Sequence, residues 1–367
     1  MSRAGLVRIT RTAPSRRWFL AGSAALLGVA GLRRRANAAG SYAQLSNRTV
    51  TLLVGAGVGG GYDLCARLLA QHMEQQVPGL RIEIKNVSQA SGKLAAKMLQ
   101  ESPGDGSVLL TAGPGPLTAQ LLQEEGVAFD MRQWGWLGKV AAETSVFVKG
   151  PGADFANFAG LRAKRTTTSM SATSTASGAY HQAVWCNALL GIHIKPVPGY
   201  KSVERDAAVV QGEVMITSES WPTDSQMFES PGVDVFLRLS PGELPEKYRD
   251  RPLLADLVSA ERPSFMPIVR FIEVSEQIQR WFAAPPNTDP AVLSEWRELF
   301  DAVSASPGFR SDIGKLNFAV APATGAEVTE QIGAALADNE KQSKVFQAAL
   351  DCGKAMADNM EASCAHS

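Results

Sequence analysis

The 367-residue chain is poor in the residues that most catalytic and metal chemistry needs. Its four histidines are His72, His181, His193 and His366, and none stands at metal-ligand spacing from another His or Cys. Its four cysteines are Cys65, Cys186, Cys352 and Cys364, with no C-x-x-C pair and no zinc-type spacing, so neither a zinc module nor a disulfide scaffold is encoded. Cys65 and Cys186 lie in apolar helical contexts and read as small buried hydrophobes. Cys352 and Cys364 are close enough to pair, which spacing alone leaves open. There is no G-x-S-x-G turn for a serine nucleophile and no G-x-x-x-x-G-K-[ST] phosphate loop. The chain therefore reads as a protein without catalytic residues, metal ligands or a resident cofactor.

Acidic residues are absent from the first 38 positions, which hold eight arginines and no lysine. The remainder is left with 28 basic against 36 acidic residues, a balance of about −8. A body that acidic argues against sequence-independent nucleic-acid binding. Ser15-Arg16-Arg17-Trp18-Phe19-Leu20 resembles a twin-arginine export motif, and Ala36-Asn37-Ala38 supplies small residues for cleavage. The uncharged run Trp18 to Leu32 is 15 residues, short of the ~20 that span a bilayer. Residues 1–38 are thus expected to be a twin-arginine-type signal peptide cleaved near Ala38. The twin-arginine machinery would be its partner in export, and the mature chain would be periplasmic.

Beyond it, Thr49–Val54, Leu80–Lys85 and Val108–Thr111 read as strands separated by helices over about 63–75 and 93–101, closed by Pro78-Gly79 and Pro103-Gly104. This β-α-β-α-β order implies a parallel sheet with right-handed crossovers, and ligand sites in such sheets lie at the strands' carboxyl ends. Val146-Phe147-Val148 reads as a first crossing into a second lobe. There strands at 166–170, 193–197 and 214–217 alternate with helices at 179–190 and 203–211. Val233–Leu239 reads as the return crossing, 241–265 as a long irregular connection, 290–303 as a helix and 316–320 as a strand. The last element is a long amphipathic helix over 328–356 that breaks near Asn339. The expected fold is α/β: two lobes, each a mainly parallel sheet flanked by helices, with a hinge between the lobes. Segments 45–147 and 236–367 would form the first lobe and 148–235 the second. A monomer is expected.

Gly55-Ala56-Gly57-Val58-Gly59-Gly60-Gly61 lies between a strand and a helix. Glycines let backbone turn and approach a ligand closely, and the helix start offers free N–H groups with a positive dipole end. An anion site follows, with two readings. Gly55, Gly57 and Gly60 match G-x-G-x-x-G, the dinucleotide fingerprint of an exported Rossmann-like enzyme, but the second strand ends Lys85-Asn86 without the ribose-binding acid. The other reading is a carboxylate.

The loop elements resemble those of the periplasmic substrate-binding proteins of tripartite tricarboxylate transporters, the Bug receptors. The resemblance rests on Gly59-Gly60-Gly61-Tyr62-Asp63 with Ala66-Arg67-Leu68-Leu69, on Asn86 with Gln89-Ala90-Ser91-Gly92, and on Pro103-Gly104-Asp105-Gly106. Trp134–Lys139, Gly199-Tyr200-Lys201, Gly212-Glu213-Val214 and Pro285–Val292 extend it over about residues 48–350. Gln89 and Ser91 stand where glycine is usual, and Met215 where Asp is usual. The resemblance implies the two-lobed, type II-like fold of a periplasmic binding protein, and a receptor, not an enzyme, that captures a small organic carboxylate between two lobes and delivers it to integral membrane transporter subunits. It implies further that the loops after the first two strands hold the carboxylate, through Gly59, Gly60, Gly61 and Ser91. Asp63 caps the helix or meets the ligand through water. Ser174 and Ser177 cap the second-lobe helix or bind a second carboxylate. Tyr200 closes the pocket or packs in a turn. Glu219 binds a ligand hydroxyl or amine, or fixes the hinge.

Overall fold

A computed structural model describes residues 42–201, 204–222, 226–337 and 339–364. The export signal expected at 1–38 lies outside them. Among the described residues, no helix is long and apolar enough to cross a membrane.

The chain from Gln44 builds two sheets. β1 (Thr49–Val54) is followed by α1 (Gly61–Gln76), β2 (Arg81–Asn86), α2 (Lys93–Gln100), β3 (Val108–Thr111) and α3 (Gly115–Leu121). Burial explains the pattern: β1 buries Val50 and Leu52 to Val54, and α1 buries Cys65, Ala66, Leu69, Ala70 and Met73 along one stripe. β4 (Gly135–Ala141) then leads into β5 (Thr144–Lys149), the first strand of the second sheet. α4 (Phe158–Ala163), β6 (Thr168–Ala172), α5 (Gly178–Leu190), β7 (Ile194–Pro198), α6 (Arg205–Val210), β8 (Ile216–Trp221) and β9 (Asp234–Arg238) follow. After α7 (Leu254–Glu261) and α8 (Met266–Gln277) the chain returns through β10 (Gln279–Ala284). It ends with α9 (Pro290–Ala305), α10 (Pro307–Gly314), β11 (Val320–Thr324), α11 (Gly325–Ala335) and α12 (Asn339–Asp358).

The first sheet runs β11-β4-β10-β3-β1-β2 and the second β7-β6-β8-β5-β9. Both are mixed. β1 is parallel to β2 and β3, and β6 is parallel to β7 and β8, as their helical crossovers require. β10 and β11 run antiparallel to β4, and β5 antiparallel to β8 and β9.

Three sequence-based assignments are corrected. Val233–Leu239 is not the return crossing: β9 is an edge strand of the second sheet, paired with β5. The chain returns instead between α8 and β10, where Glu143 N–H donates to the Glu276 carbonyl at 2.9 Å and Gln279 pairs with Ala141. The strand expected at 316–320 is displaced, because β11 begins only at Val320, and 241–265 contains α7 rather than irregular chain alone.

The C-terminal helix, placed with the first lobe by sequence, packs on the second. Trp185 of α5 forms edge contacts with Phe271 of α8 and Phe346 of α12. Asn187 donates to the Gly353 carbonyl at 3.1 Å, and His193 Nδ1 stands 2.8 Å from the Met356 carbonyl. A Cβ at Gly353 would lie 1.9 Å from the Val184 carbonyl, so only glycine permits that approach. Cys352 and Cys364 form a disulfide, and Cys65 and Cys186 are free and buried.

Candidate functional site

A cavity of about 400 Å³ opens between the two sheets. Gly61 and Tyr62 at the start of α1 and Leu316 to Phe318 before β11 wall it on one side; Ser177 and Gln182 of α5, Arg205 of α6 and Ser218 to Ser220 of β8 wall it on the other. Its floor is the hinge itself. Glu143 lies on the connection from β4 to β5, and Glu276, Gln279 and Arg280 on the return from α8 into β10.

Arg280 is nine-tenths buried and pairs with Glu143 at 2.7 Å. Its guanidinium lies between two rings, 4.4 Å from the centroid of Tyr62 and 4.2 Å from that of Phe318. Its backbone φ is 56°, in the left-handed region that a non-glycine residue seldom occupies, a strain of roughly 1–3 kcal/mol. The ion pair and the two rings hold it there. Gly61 makes the room: a Cβ at that position would stand 3.1 Å from Arg280 Nη2 and 3.3 Å from Phe318 Cζ. The Arg280 Nε is buried and has no partner.

A hydrogen-bonded chain crosses the floor from one sheet to the other. The Tyr62 hydroxyl donates to Gln279 Oε1, and Gln279 Nε2 donates to the Ser275 carbonyl at 2.9 Å and Glu276 Oε2 at 3.4 Å. Gln182 Nε2 donates to Glu276 Oε1 at 3.1 Å, and Ser218 Oγ donates to Gln182 Oε1 at 2.8 Å. Burial, reinforced by the neighbouring Glu143 charge, pushes the Glu276 carboxyl up to about 8. On the second-sheet wall, Arg205 donates to Glu219 Oε1 at 2.6 Å, to Thr217 Oγ1 at 3.2 Å and to the Ser218 carbonyl. Its Nε, like that of Arg280, is buried without a partner. Burial pushes Glu219 up to about 7 despite the Arg205 charge beside it. Chemically, the cavity wall combines two arginines and a helix N-terminus, suited to an anion, with three carboxyl groups, suited to a donor.

Of the residues singled out in the sequence, Gly61, Ser177 and Glu219 line this cavity. Ser177 is also the N-cap of α5, its hydroxyl accepting from Tyr180 N–H. Gly59, Gly60, Asp63, Ser91, Ser174 and Tyr200 do not line it. Asp63 is buried with both oxygens occupied, by Gly59 N–H, Arg67 and Asn86, so it clasps the glycine turn to β2 rather than facing a ligand. Gly60 is the N-cap of α1, and Gly59 turns the loop at φ 77°. Ser91 and Ser174 meet each other at 3.2 Å, one from each sheet's loops. Tyr200 donates to Glu213 at 2.7 Å and lines a separate groove.

The sequence reading missed Tyr62, Glu143, Gln182, Arg205, Glu276, Gln279 and Arg280. For Arg280 a signal exists: it immediately precedes the wholly buried Trp281-Phe282-Ala283-Ala284, where a charge is unusual without a partner. Gly55, by contrast, serves packing: a Cβ there would stand 2.6 Å from Ala112 Cβ, just past the end of β3.

No family model and no curated protein matches the chain. Solved structures do. A TctC solute-binding protein from Polaromonas, at 14% identity, superposes with a TM-score of 0.59 over 83% of this chain and 98% of its own. The periplasmic binding protein BugD, at 17% identity, gives 0.63 over 82% and 97%. MatC from Rhodopseudomonas palustris with bound malate, at 18% identity, gives 0.62 over 81% and 99%. The chain has the two-lobed fold of TctC and Bug periplasmic binding proteins.

Proposed function

We propose that this protein is a periplasmic solute receptor, not an enzyme, which holds a small organic carboxylate in the cavity between its two sheets. The observation that carries the reading is the pair of arginines in the cavity wall, Arg205 from α6 and Arg280 from the hinge, together with the first residue of α1, which lines the same cavity. A guanidinium and a helix N-terminus are both suited to a carboxylate. The similarity to MatC, which was solved with malate, supports the same chemistry. The dinucleotide reading finds no such support, since Gly55, Gly57 and Gly60 lie outside the cavity. Capture between lobes suits delivery to integral membrane subunits of a tripartite tricarboxylate-type transporter. The arginine pair Arg16-Arg17 suits twin-arginine export of a monomer.

A thermal-shift screen of the purified chain against organic acids and against nicotinamide and flavin dinucleotides tests the proposal. A ligand at 100 times its dissociation constant adds about 2.7 kcal/mol of stability. Stabilisation by at least one carboxylate, lost in Arg280→Gln, is expected. Stabilisation by a dinucleotide and by no carboxylate would overturn the reading.

A further inference from the structure

The first turn of α5 divides its residues between two cavities. Ser177, Gly178 and Gln182 line the one described above; Thr175, Tyr180 and His181 line another, of about 370 Å³. Lys93 at the start of α2, Glu124 just beyond α3 and Lys354 of α12 line it too, so both lobes build it. Lys93 pairs with Glu124 at 2.5 Å, and those charges cancel. Lys354 has no carboxylate within ion-pair distance among the described residues, which leaves the cavity one positive charge in excess. His181 is only 4% exposed. Its Nδ1 stands 3.1 Å from the Ser177 carbonyl, which can only accept, so Nδ1 carries the hydrogen and Nε2 keeps its lone pair. Burial holds this imidazole down at about 4, and it is neutral at pH 7. Nε2 has no partner among the described residues, and Glu124, Lys354 and Lys93 are near enough for their charges to act on the ring. A buried lone pair beside an uncancelled ammonium group suits an anion that carries an O–H of its own.

We infer that this cavity is a site for inorganic phosphate, with Lys354 and Lys93 meeting the charged oxygens and the P–OH donating to His181 Nε2. At pH 8 the hydrogen phosphate dianion keeps one O–H, whereas sulfate and the dianion of a phosphate monoester have none. The lone pair therefore selects free phosphate. Lys93 belongs to the first lobe, while His181 and Lys354 lie on α5 and on the α12 packed against it. The bound ion thus ties the two lobes together and shifts their population towards the arrangement seen here, in which Ser91 and Ser174, close in sequence to Lys93 and Thr175, meet at 3.2 Å. The site shares no lining residue with the cavity between the sheets, so it stands apart from the carboxylate reading.

Titration calorimetry of the full chain at pH 8 with phosphate, sulfate and methyl phosphate tests this. Phosphate should bind at least tenfold more tightly than either of the others. Lys354→Met, a change at an exposed position, should weaken phosphate at least fivefold. His181→Phe keeps a ring against Trp185, and should bring the three anions to within threefold of one another. Small-angle scattering should show the unaltered protein compacting with phosphate and not with sulfate at the same concentration. Absence of phosphate binding, or binding no tighter than that of sulfate or methyl phosphate, overturns the inference. So does a Lys354→Met protein that binds phosphate as the parent does, or a preference that survives His181→Phe. Phosphate bound without compaction overturns the link between the lobes. The ranking of the three anions by the unaltered protein decides the role of His181 even if its variant fails to fold.

Discussion

Glu143 and Arg280 meet at 2.7 Å although they belong to opposite crossings of the hinge, one leaving the first sheet and the other returning to it. Both are buried, so the pair is exposed to the rule that breaking a buried ion pair is far costlier than replacing it whole. The same contact locks the two connections together and fixes the guanidinium that the cavity presents.

Arg280→Met should therefore destabilise the unliganded protein by roughly 3–5 kcal/mol, because Glu143 is left as an uncompensated buried charge. The double variant Glu143→Gln/Arg280→Met should recover more than half of that loss. Urea unfolding of the four forms of this cycle measures the coupling. A double variant as unstable as the single one would show that packing, not charge, governs the hinge.

Gly61→Val should weaken ligand binding at least tenfold, about 1.4 kcal/mol. The added Cβ would lie 3.1 Å from the Arg280 guanidinium and 3.3 Å from Phe318, so the ring and the cation must shift. The melting temperature of the empty protein should change by only a few degrees, since both contacts are with side-chain tips. Unchanged affinity would place the anion away from the start of α1.

Glu276 ties stability to pH. Its carboxyl is raised from 4.5 to about 8, so the folded state holds the proton more tightly than the unfolded chain. No stability is lost from this group below pH 4.5; the loss grows as pH rises towards 8 and then levels off. Its full extent is on the order of 5 kcal/mol. Glu276→Gln should be the more stable protein at pH 8.5 and should show a flatter profile between pH 5 and 8. Chemical denaturation across that range reads the difference, and parallel profiles for both proteins would contradict it.

Ser91 and Ser174, one from each sheet's loops, stand with their hydroxyls 3.2 Å apart. Ser91→Cys/Ser174→Cys should form a cross-link on oxidation and hold the lobes together around a bound ligand. Ligand release measured by stopped flow should slow at least tenfold and recover on reduction, while either single cysteine variant should behave as the parent. Release at the parent's rate from the cross-linked form would mean that exchange does not require these loops to part.

Removing the bond between Cys352 and Cys364 should cost up to about 3 kcal/mol, the chain-entropy value for so short a loop. Cys352→Ser should lower the unfolding midpoint and leave affinity unchanged, because neither cysteine lines the cavity. A loss of affinity would connect the end of α12 to the site.

The strands at 49–54 and 108–111 and the helix after each parallel strand were legible in the sequence, because alternating apolar residues, glycine turns and Pro-Gly stops are local signals and burial follows them. So was the place of Gly61, the first residue of α1, at the cavity wall, since the turn after a parallel strand opens at the strand's carboxyl end. Asp63 shows the limit of that local reasoning: its position near the helix start was legible, but only the approach of Asn86 from β2 commits its carboxylate to the turn. The cavity floor had little local signal beyond the place of Arg280 before an apolar run. Glu143, Glu276 and Arg280 are separated by more than a hundred residues from first to last, and Glu143 and Glu276 look like ordinary surface charges. Their meaning comes from two chain crossings that pair at the hinge and bury the Glu143–Arg280 ion pair beside Glu276. Which buried groups meet a partner is a property of the assembled crossings, and only the tertiary structure decides it.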